Sequence, residues 1–279
     1  MKDVLFHIDT YSEPTVPAAV DQVVAFASGI GGRLTGLAVH IDIRVPDNWL
    51  AEQLLHVNKL ASAEEAKSFE ACRSMLDRLG AAAKAIGLTH DEKIVRADLN
   101  AVGPCVARHA RTYDLCLVGI GDRMDSQRAI AEDVVFGSGR PTLIFNPVRS
   151  PLPPELKRVV VAWDGSRSSA RAASDAIPLL QKAQDVRILT VVGEKASATA
   201  GAAADLERHF KLHGIACTVD EIDGRHRSIG ASLDAYCEQY DPSLLVMGGY
   251  GTSRVKEFVL GGATEHVLNK GRVATLLSH

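Results

Sequence analysis

The chain reads as an α/β protein built from two similar halves, each a parallel sheet covered by helices. Three observations predict this. Short apolar runs alternate with helical patterns from end to end, as parallel strands joined by crossover helices require. Near the middle, Pro147-Val148-Arg149-Ser150-Pro151-Leu152-Pro153-Pro154 holds four of the chain's 11 prolines. Such a stretch continues neither a helix nor a central strand, so it reads as a stiff linker. The two flanking halves also share landmarks. Each opens on a strand ending in Asp (Phe6-His7-Ile8-Asp9 and Val161-Ala162-Trp163-Asp164). Each later steps from Tyr-Asp into a buried strand ending in Gly (Tyr113-Asp114 to Gly119, Tyr240-Asp241 to Gly248).

In the second half, the apolar runs predict strands near 157–163, 186–192, 216–222, 243–248 and 273–278. Helical periodicity predicts helices near 166–182, 197–213, 226–239 and 263–270. The first half follows the same order, with a longer segment between its second and third strands. That segment, 47–86, carries Trp49-Leu50 and Leu54-Leu55 and then a helix from Ala61 to Ala85. The expected architecture is two tandem Rossmann-like domains, 1–148 and 156–279. Each is a five-stranded parallel sheet with helices on both faces.

At 279 residues the length suits two domains, and 46% hydrophobic with 23% charged residues is ordinary globular composition. A net charge of −3 gives no basic field for nucleic acid or membrane, so a small molecule or protein partner is expected. Five cysteines form no Cys-x-x-Cys pair, which points to buried thiols in a reducing compartment. The chain opens directly into the strand Val4-Leu5-Phe6-His7-Ile8 without a charged leader, and no apolar run spans a bilayer. The expected location is cytoplasmic.

The chemical signal lies late in the chain. Met247-Gly248-Gly249-Tyr250-Gly251 follows the apolar run Leu244-Leu245-Val246, and Gly261-Gly262-Ala263-Thr264 opens the last helix. Glycines at a strand end and a helix start let backbone N–H groups approach an anion with no Cβ between them. The helix start adds the positive end of its dipole. The spacing Gly-x2-Gly-x9-Gly resembles the ATP-binding form of the universal stress protein family, whose motif continues with Ser or Thr. Here Gly262 takes that place, keeping a backbone donor and losing a hydroxyl. The resemblance covers essentially the whole chain and is of the tandem type. It implies ATP as ligand, with ADP or AMP as alternatives and Mg2+ as a companion ion.

By the same resemblance, Ala162, Trp163 and Asp164 line the nucleoside pocket, and Val191 offers its backbone to adenine. Met247 packs on base or ribose, with Gly248 and Gly251 at the ribose and α-phosphate. Gly261, Gly262, Ala263 and Thr264 hold the outer phosphates. Asp164 also has a plain reading as the cap of the helix starting near Ser166, and Trp163 one as a core aromatic.

The first half departs from this pattern. Aligning Ala131-Glu132-Asp133-Val134-Val135 with Thr264-Glu265-His266-Val267-Leu268 leaves its loop four residues shorter, with Arg128 and Ala129 where Gly261 and Gly262 stand. A degenerate copy is expected, with one nucleotide per chain. Gly137-Ser138-Gly139 reads as a helix stop.

No P-loop, dinucleotide fingerprint or hydrolase elbow is present in the sequence. The pairs His209/His213 and Cys105/His109 lack an evident third ligand, and His266 is read as pointing away from the phosphates. No catalytic and no metal-binding residue is assigned. The expected role is nucleotide-dependent regulation in a stress response. A slow ATP-hydrolysing or nucleotide-transferring enzyme and a nucleotide-free structural module are the alternatives. The two halves are expected to pair within the chain through their fifth strands, because a short apolar edge needs cover. A homodimer is considered through the surface near Trp49 and Leu54.

Overall fold

The computed structural model describes residues 1–44, 57–121, 125–193, 199–225, 227–249 and 262–279. Trp49 and Leu54, and with them the homodimer surface considered above, lie outside the described residues. The first half runs β1 (Asp3–Ile8), α1 (Pro17–Gly29), β2 (Arg33–Asp42), α2 (Val57–Ala85), β3 (His90–Asp98), a 3-10 turn (Leu99–Ala101), α3 (Val102–Ala110), β4 (Leu115–Gly119), α4 (Asp125–Gly137) and β5 (Thr142–Phe145). The second half runs β6 (Arg158–Ala162), α5 (Arg167–Leu180), β7 (Asp185–Val192), α6 (Ala204–Leu212), β8 (Thr218–Asp223), α7 (Ile229–Tyr240), β9 (Leu244–Gly248), α8 (Gly262–Lys270) and β10 (Thr275–Ser278). The fold is α/β, with a mostly parallel sheet between helices.

Local chemistry explains the boundaries. Pro17 opens α1, where its missing N–H costs no hydrogen bond. Ser166 caps α5 by accepting from Ser169 N at 3.2 Å, and Ser228 caps α7 by accepting from Ala231 N at 3.3 Å. α4 ends at Gly137, and Gly139 at φ +66° turns the chain into β5. The helix expected over 197–213 begins only at Ala204. Gly201, at φ +79°, holds a left-handed conformation that a right-handed helix cannot propagate through.

The ten strands among the described residues form one sheet, ordered β3-β2-β1-β4-β5-β10-β9-β6-β7-β8. Neighbours within each half are parallel, and only β5 and β10 pair antiparallel. Thr142 sits beside Cys116 in one half as Thr275 sits beside Leu245 in the other, so Leu143 and Leu276 are equivalent residues. Across the seam these two stand opposite each other. The register therefore places a local two-fold axis at that pair.

Apolar side chains fill two layers. One, under α1, α2, α5 and α6, joins Phe6, Phe26, Leu79, Phe145, Val161, Leu179, Phe210 and Leu276. The other, under α3, α4, α7 and α8, joins Val106, Val118, Val134, Leu233, Met247, Val267 and Leu277. Both layers cross the seam, so the halves share core. At roughly 1.5–3 kcal/mol per fully buried large apolar side chain, this shared packing dominates any surface ion pair. All five thiols are free. Burial pushes the Cys116 and Cys237 thiols up to about 12 and Cys72 up to about 11, which keeps them protonated and unreactive at neutral pH. Among the described residues, no helix is long and apolar enough to cross a membrane.

The linker is packed rather than free. A Cβ on Gly29, the last residue of α1, would lie 2.1 Å from the Pro154 carbonyl oxygen. Gly29→Ala must therefore push the linker off α1, and overpacking of this kind costs about 1–3 kcal/mol. A lowered urea midpoint with unchanged m-value is the expected result; an unchanged midpoint would show that the linker does not rest there.

Candidate functional site

The carboxyl ends of β6 and β9 lie side by side, with Val161 paired to Val246, so Ala162 and Met247 are neighbours. Met247 is buried in the layer under α7 and α8, and Ala162 and Ala263 pack against that same layer. Together they make a small apolar floor at the strand ends, where open α/β sheets take ligands. Val191, buried at the end of β7, stands beside Ile222 of β8.

After β6 the chain turns through Gly165 at φ +71°. Asp164 Oδ1 accepts from Ser166 N at 3.0 Å, which fixes this turn. The capping role belongs to Ser166, not to Asp164. Trp163 takes the opposite side of the sheet from Ala162. Its ring packs against the layer under α5 and α6, and Nε1 donates to the Ala202 carbonyl at 3.0 Å. Its indole ties down the chain leading into α6 and does not join the floor made by Ala162 and Met247.

Gly248 lies against the start of α5. A Cβ there would come within 2.5 Å of Ser169 N and 2.6 Å of the Ser168 carbonyl carbon. Backbone cannot yield at that distance, so only glycine lets this strand end approach the helix. Gly251 and Gly261 lie outside the described residues. On the far side, Gly262 opens α8, and among the described residues a Cβ added to it would meet nothing within 4 Å. Thr264, 2% exposed, is buried in the first turn. Among the described residues, none crowds position 262 or the space beside it.

His266 is turned away from that space. Its Nε2 bonds Asp234 Oδ2 on α7, and a Cβ on Gly230 of α7 would lie 2.4 Å from its Cγ. The α7–α8 contact is thus built around this imidazole.

At the corresponding edge of the first half, protein side chains fill the space. His7 pairs with Val118 as Ala162 stands beside Met247, so an imidazole replaces a methyl. His7 is 3% exposed and neither ring nitrogen has a hydrogen-bond partner. Burial lowers its pKa, against the opposing influence of Asp9 and the Leu37 backbone, which holds the ring neutral. Asp9 Oδ1 accepts from Thr10 N at 2.9 Å, while Oδ2 is buried without a partner. Gln127 then bridges the edge, accepting from Gly121 N at 2.6 Å and donating to the Glu13 carbonyl at 3.2 Å. Ile120 occupies the place of Gly249, since each donates its N–H to the last residue of the adjoining strand (Phe145 and Ser278). Sequence reasoning saw the missing glycines but not His7 or Gln127. An imidazole aligned with Ala162 was the available signal.

The two histidine spacings remain simple. His209 and His213 have ring centroids 4.7 Å apart on the exposed side of α6, and Cys105 is buried beside Arg108. Among the described residues, no group of three or more metal-ligating side chains converges.

The family model described as the universal stress protein family matches residues 155–279. A search of curated proteins finds no match. Among solved structures, a universal stress protein from Archaeoglobus fulgidus aligns over 98% of this chain and 95% of its own, with 18% identity and a TM-score of 0.67. A protein described as a putative universal stress protein from Pseudomonas aeruginosa aligns over 99% and 93%, with 12% identity and a TM-score of 0.54. At such identities these likenesses speak for the fold, which runs through both halves. Residues 155–279, which include the start of α8, form a universal stress protein domain by their match to the family model, and the chain as a whole has the fold of its structural relatives.

Proposed function

We propose that the chain is a stress-response regulator that binds one adenine nucleotide per molecule, in a domain formed by residues 156–279. ATP is the ligand put forward, with ADP or AMP as alternatives and Mg2+ alongside a triphosphate. Residues 1–148 form the second domain, a degenerate copy, and the β5–β10 pairing makes the molecule an intramolecular pair of domains. The observation that carries this reading is the contrast between the two carboxyl edges of one sheet. Among the described residues, none comes within 4 Å of a Cβ added at Gly262 in the second half, whereas His7 and Gln127 occupy the edge of the first.

The residues present fit a nucleotide. Ala162 and Met247 offer an apolar floor suited to a base. The turn at Asp164 and the backbone of Val191 stand at the same edge and would hold ribose and adenine. Trp163 contributes by bracing the neighbouring strand end. Gly248 and Gly251 would let backbone pass close to the ribose and α-phosphate. Gly261, Gly262, Ala263 and Thr264 would present N–H groups and the α8 dipole to the outer phosphates. Bound nucleotide supplies polyanionic charge at the helix start, and the protein answers with fixed dipoles. No residue is assigned to bond cleavage; nucleotide-dependent conformation or association is the mode of action proposed. Slow hydrolysis would appear as ADP or AMP released above the protein-free rate. A nucleotide-free module would give denatured, freshly purified protein without adenine nucleotide by mass spectrometry.

Isothermal titration of the full chain with ATP, ADP and AMP is expected to give one site per chain. Two equivalent sites would show that the first half binds as well and would overturn the assignment.

Gly262→Val provides the probe, because among the described residues a Cβ there meets no atom within 4 Å. It should reduce nucleotide affinity at least about tenfold, roughly 1.4 kcal/mol. The melting temperature should fall by no more than the small helix-propensity cost of valine. Unchanged affinity in the folded variant would remove the phosphate role of the helix start.

A further inference from the structure

We infer that helix α4 of the first half sets the position of Gly249 and of helix α8, the two described flanks of the proposed nucleotide site in the second half. This rests on the nucleotide reading above and adds how that site is set from outside its own half. Arg128, Glu132, Val135 and Phe136 stand at i, i+4, i+7 and i+8 on α4 and so share one face of the helix. Three of these residues reach the second half, at two places.

At the entry, Gly249 follows the last residue of β9. Its N–H donates to the Ser278 carbonyl at 2.8 Å, and its carbonyl accepts from His279 Nδ1 at 3.2 Å. The His279 ring in turn meets the Phe136 ring edge to face, with centroids 4.9 Å apart. Val135 covers Gly249 directly, since a Cβ on that glycine would lie 3.3 Å from Val135 Cγ1.

At the exit, the Arg128 guanidinium donates to Asn269 Oδ1 at 2.8 Å and stands 4.0 Å from Glu265 Oε1. Glu265 and Asn269 are one turn apart on the same face of α8. Glu132 fixes the guanidinium from its own helix, accepting from Arg128 Nε at 3.0 Å. Arg149, just past β5, donates to the Gly271 carbonyl at 3.1 Å, directly after α8 ends.

One rigid helix thus touches the motif's two described flanks. A shift of α4 relative to the second half changes the spacing between Gly249 and the start of α8, and with it the alignment of backbone donors. Arg128 stands where the second half has Gly261, so the residue that marks the degenerate copy is also the one that reaches across. Arg128 and Phe136 are positioning residues; neither is placed against the nucleotide.

The test uses the full chain, with Arg128→Ala, Phe136→Ala, the double variant and Arg128→Lys. Hydrogen exchange without nucleotide and isothermal titration with ATP are the two readouts, and urea midpoints identify folded variants. The expected result is faster exchange of the amides of 262–270 in Arg128→Ala, with β6, β7 and β8 unchanged. ATP affinity should fall about tenfold in the same variant, and Arg128→Lys should recover most of it. If Phe136→Ala fails to fold, Arg128→Ala and Arg128→Lys still decide. Unchanged exchange in α8, or faster exchange with unchanged ATP affinity, would overturn the positioning role. If wild-type protein binds no nucleotide while exchange in α8 still rises, the nucleotide reading fails and the mechanical link between α4 and α8 stands.

Discussion

Strands β5 and β10 are only four residues long, and every residue in them is buried. Alone, each would leave a short apolar edge with unpaired N–H and C=O groups, which attracts strands from other chains. Pairing the two antiparallel removes both edges, because Leu143 and Leu276 are equivalent positions and meet at the local two-fold. The remaining sheet edges, β3 and β8, carry His90, Asp91, Glu92, Lys93 and Arg96 on one side and Asp220, Glu221 and Asp223 on the other. Charge on an outer strand disfavours further pairing. The seam therefore joins the two five-stranded halves into one sheet and brings α4 and α8 together.

From this constraint the two halves diverge in a way that volume explains. Both have a first strand that leads into an Asp and a turn, beside a fourth strand ending in Gly. In the second half a small Ala162 stands beside Met247 at the edge. In the first half an imidazole and a carboxamide occupy the corresponding region. A buried neutral His7 without a hydrogen-bond partner, beside an Asp9 oxygen also lacking one, is costly by the usual accounting of buried polar groups. The half tolerates that cost because the surrounding apolar layers are extensive. Through Arg128 and Phe136 on α4, the first half also meets the second at Asn269 and His279.

The sequence by itself determined the class of fold, the order of elements and where the halves meet. Those features follow from local physics. Apolar runs flanked by turn residues make buried strands, helical periodicity makes the covering helices, and prolines stop both. It also singled out Gly248 and Gly251 after a strand, and Gly261, Gly262 and Thr264 before a helix, because glycine at a strand end and at a helix start has a meaning independent of distant neighbours. It misplaced the start of α6, since a single glycine at φ +79° outweighed the periodicity before it.

Only the tertiary structure decided what depends on contacts between distant parts of the chain. Strand alternation alone leaves Trp163 open to a ligand or a core role; the Ala202 carbonyl, 39 residues away, commits its indole to packing. Gln127 is an ordinary helix residue until Gly121 N and the Glu13 carbonyl are found on either side of its carboxamide. Arg128 reads in sequence as a lost glycine, and becomes a link only because the seam carries Asn269 to within 2.8 Å of it. Long polar side chains take their roles from partners that the chain brings together only on folding, and no local pattern records those partners.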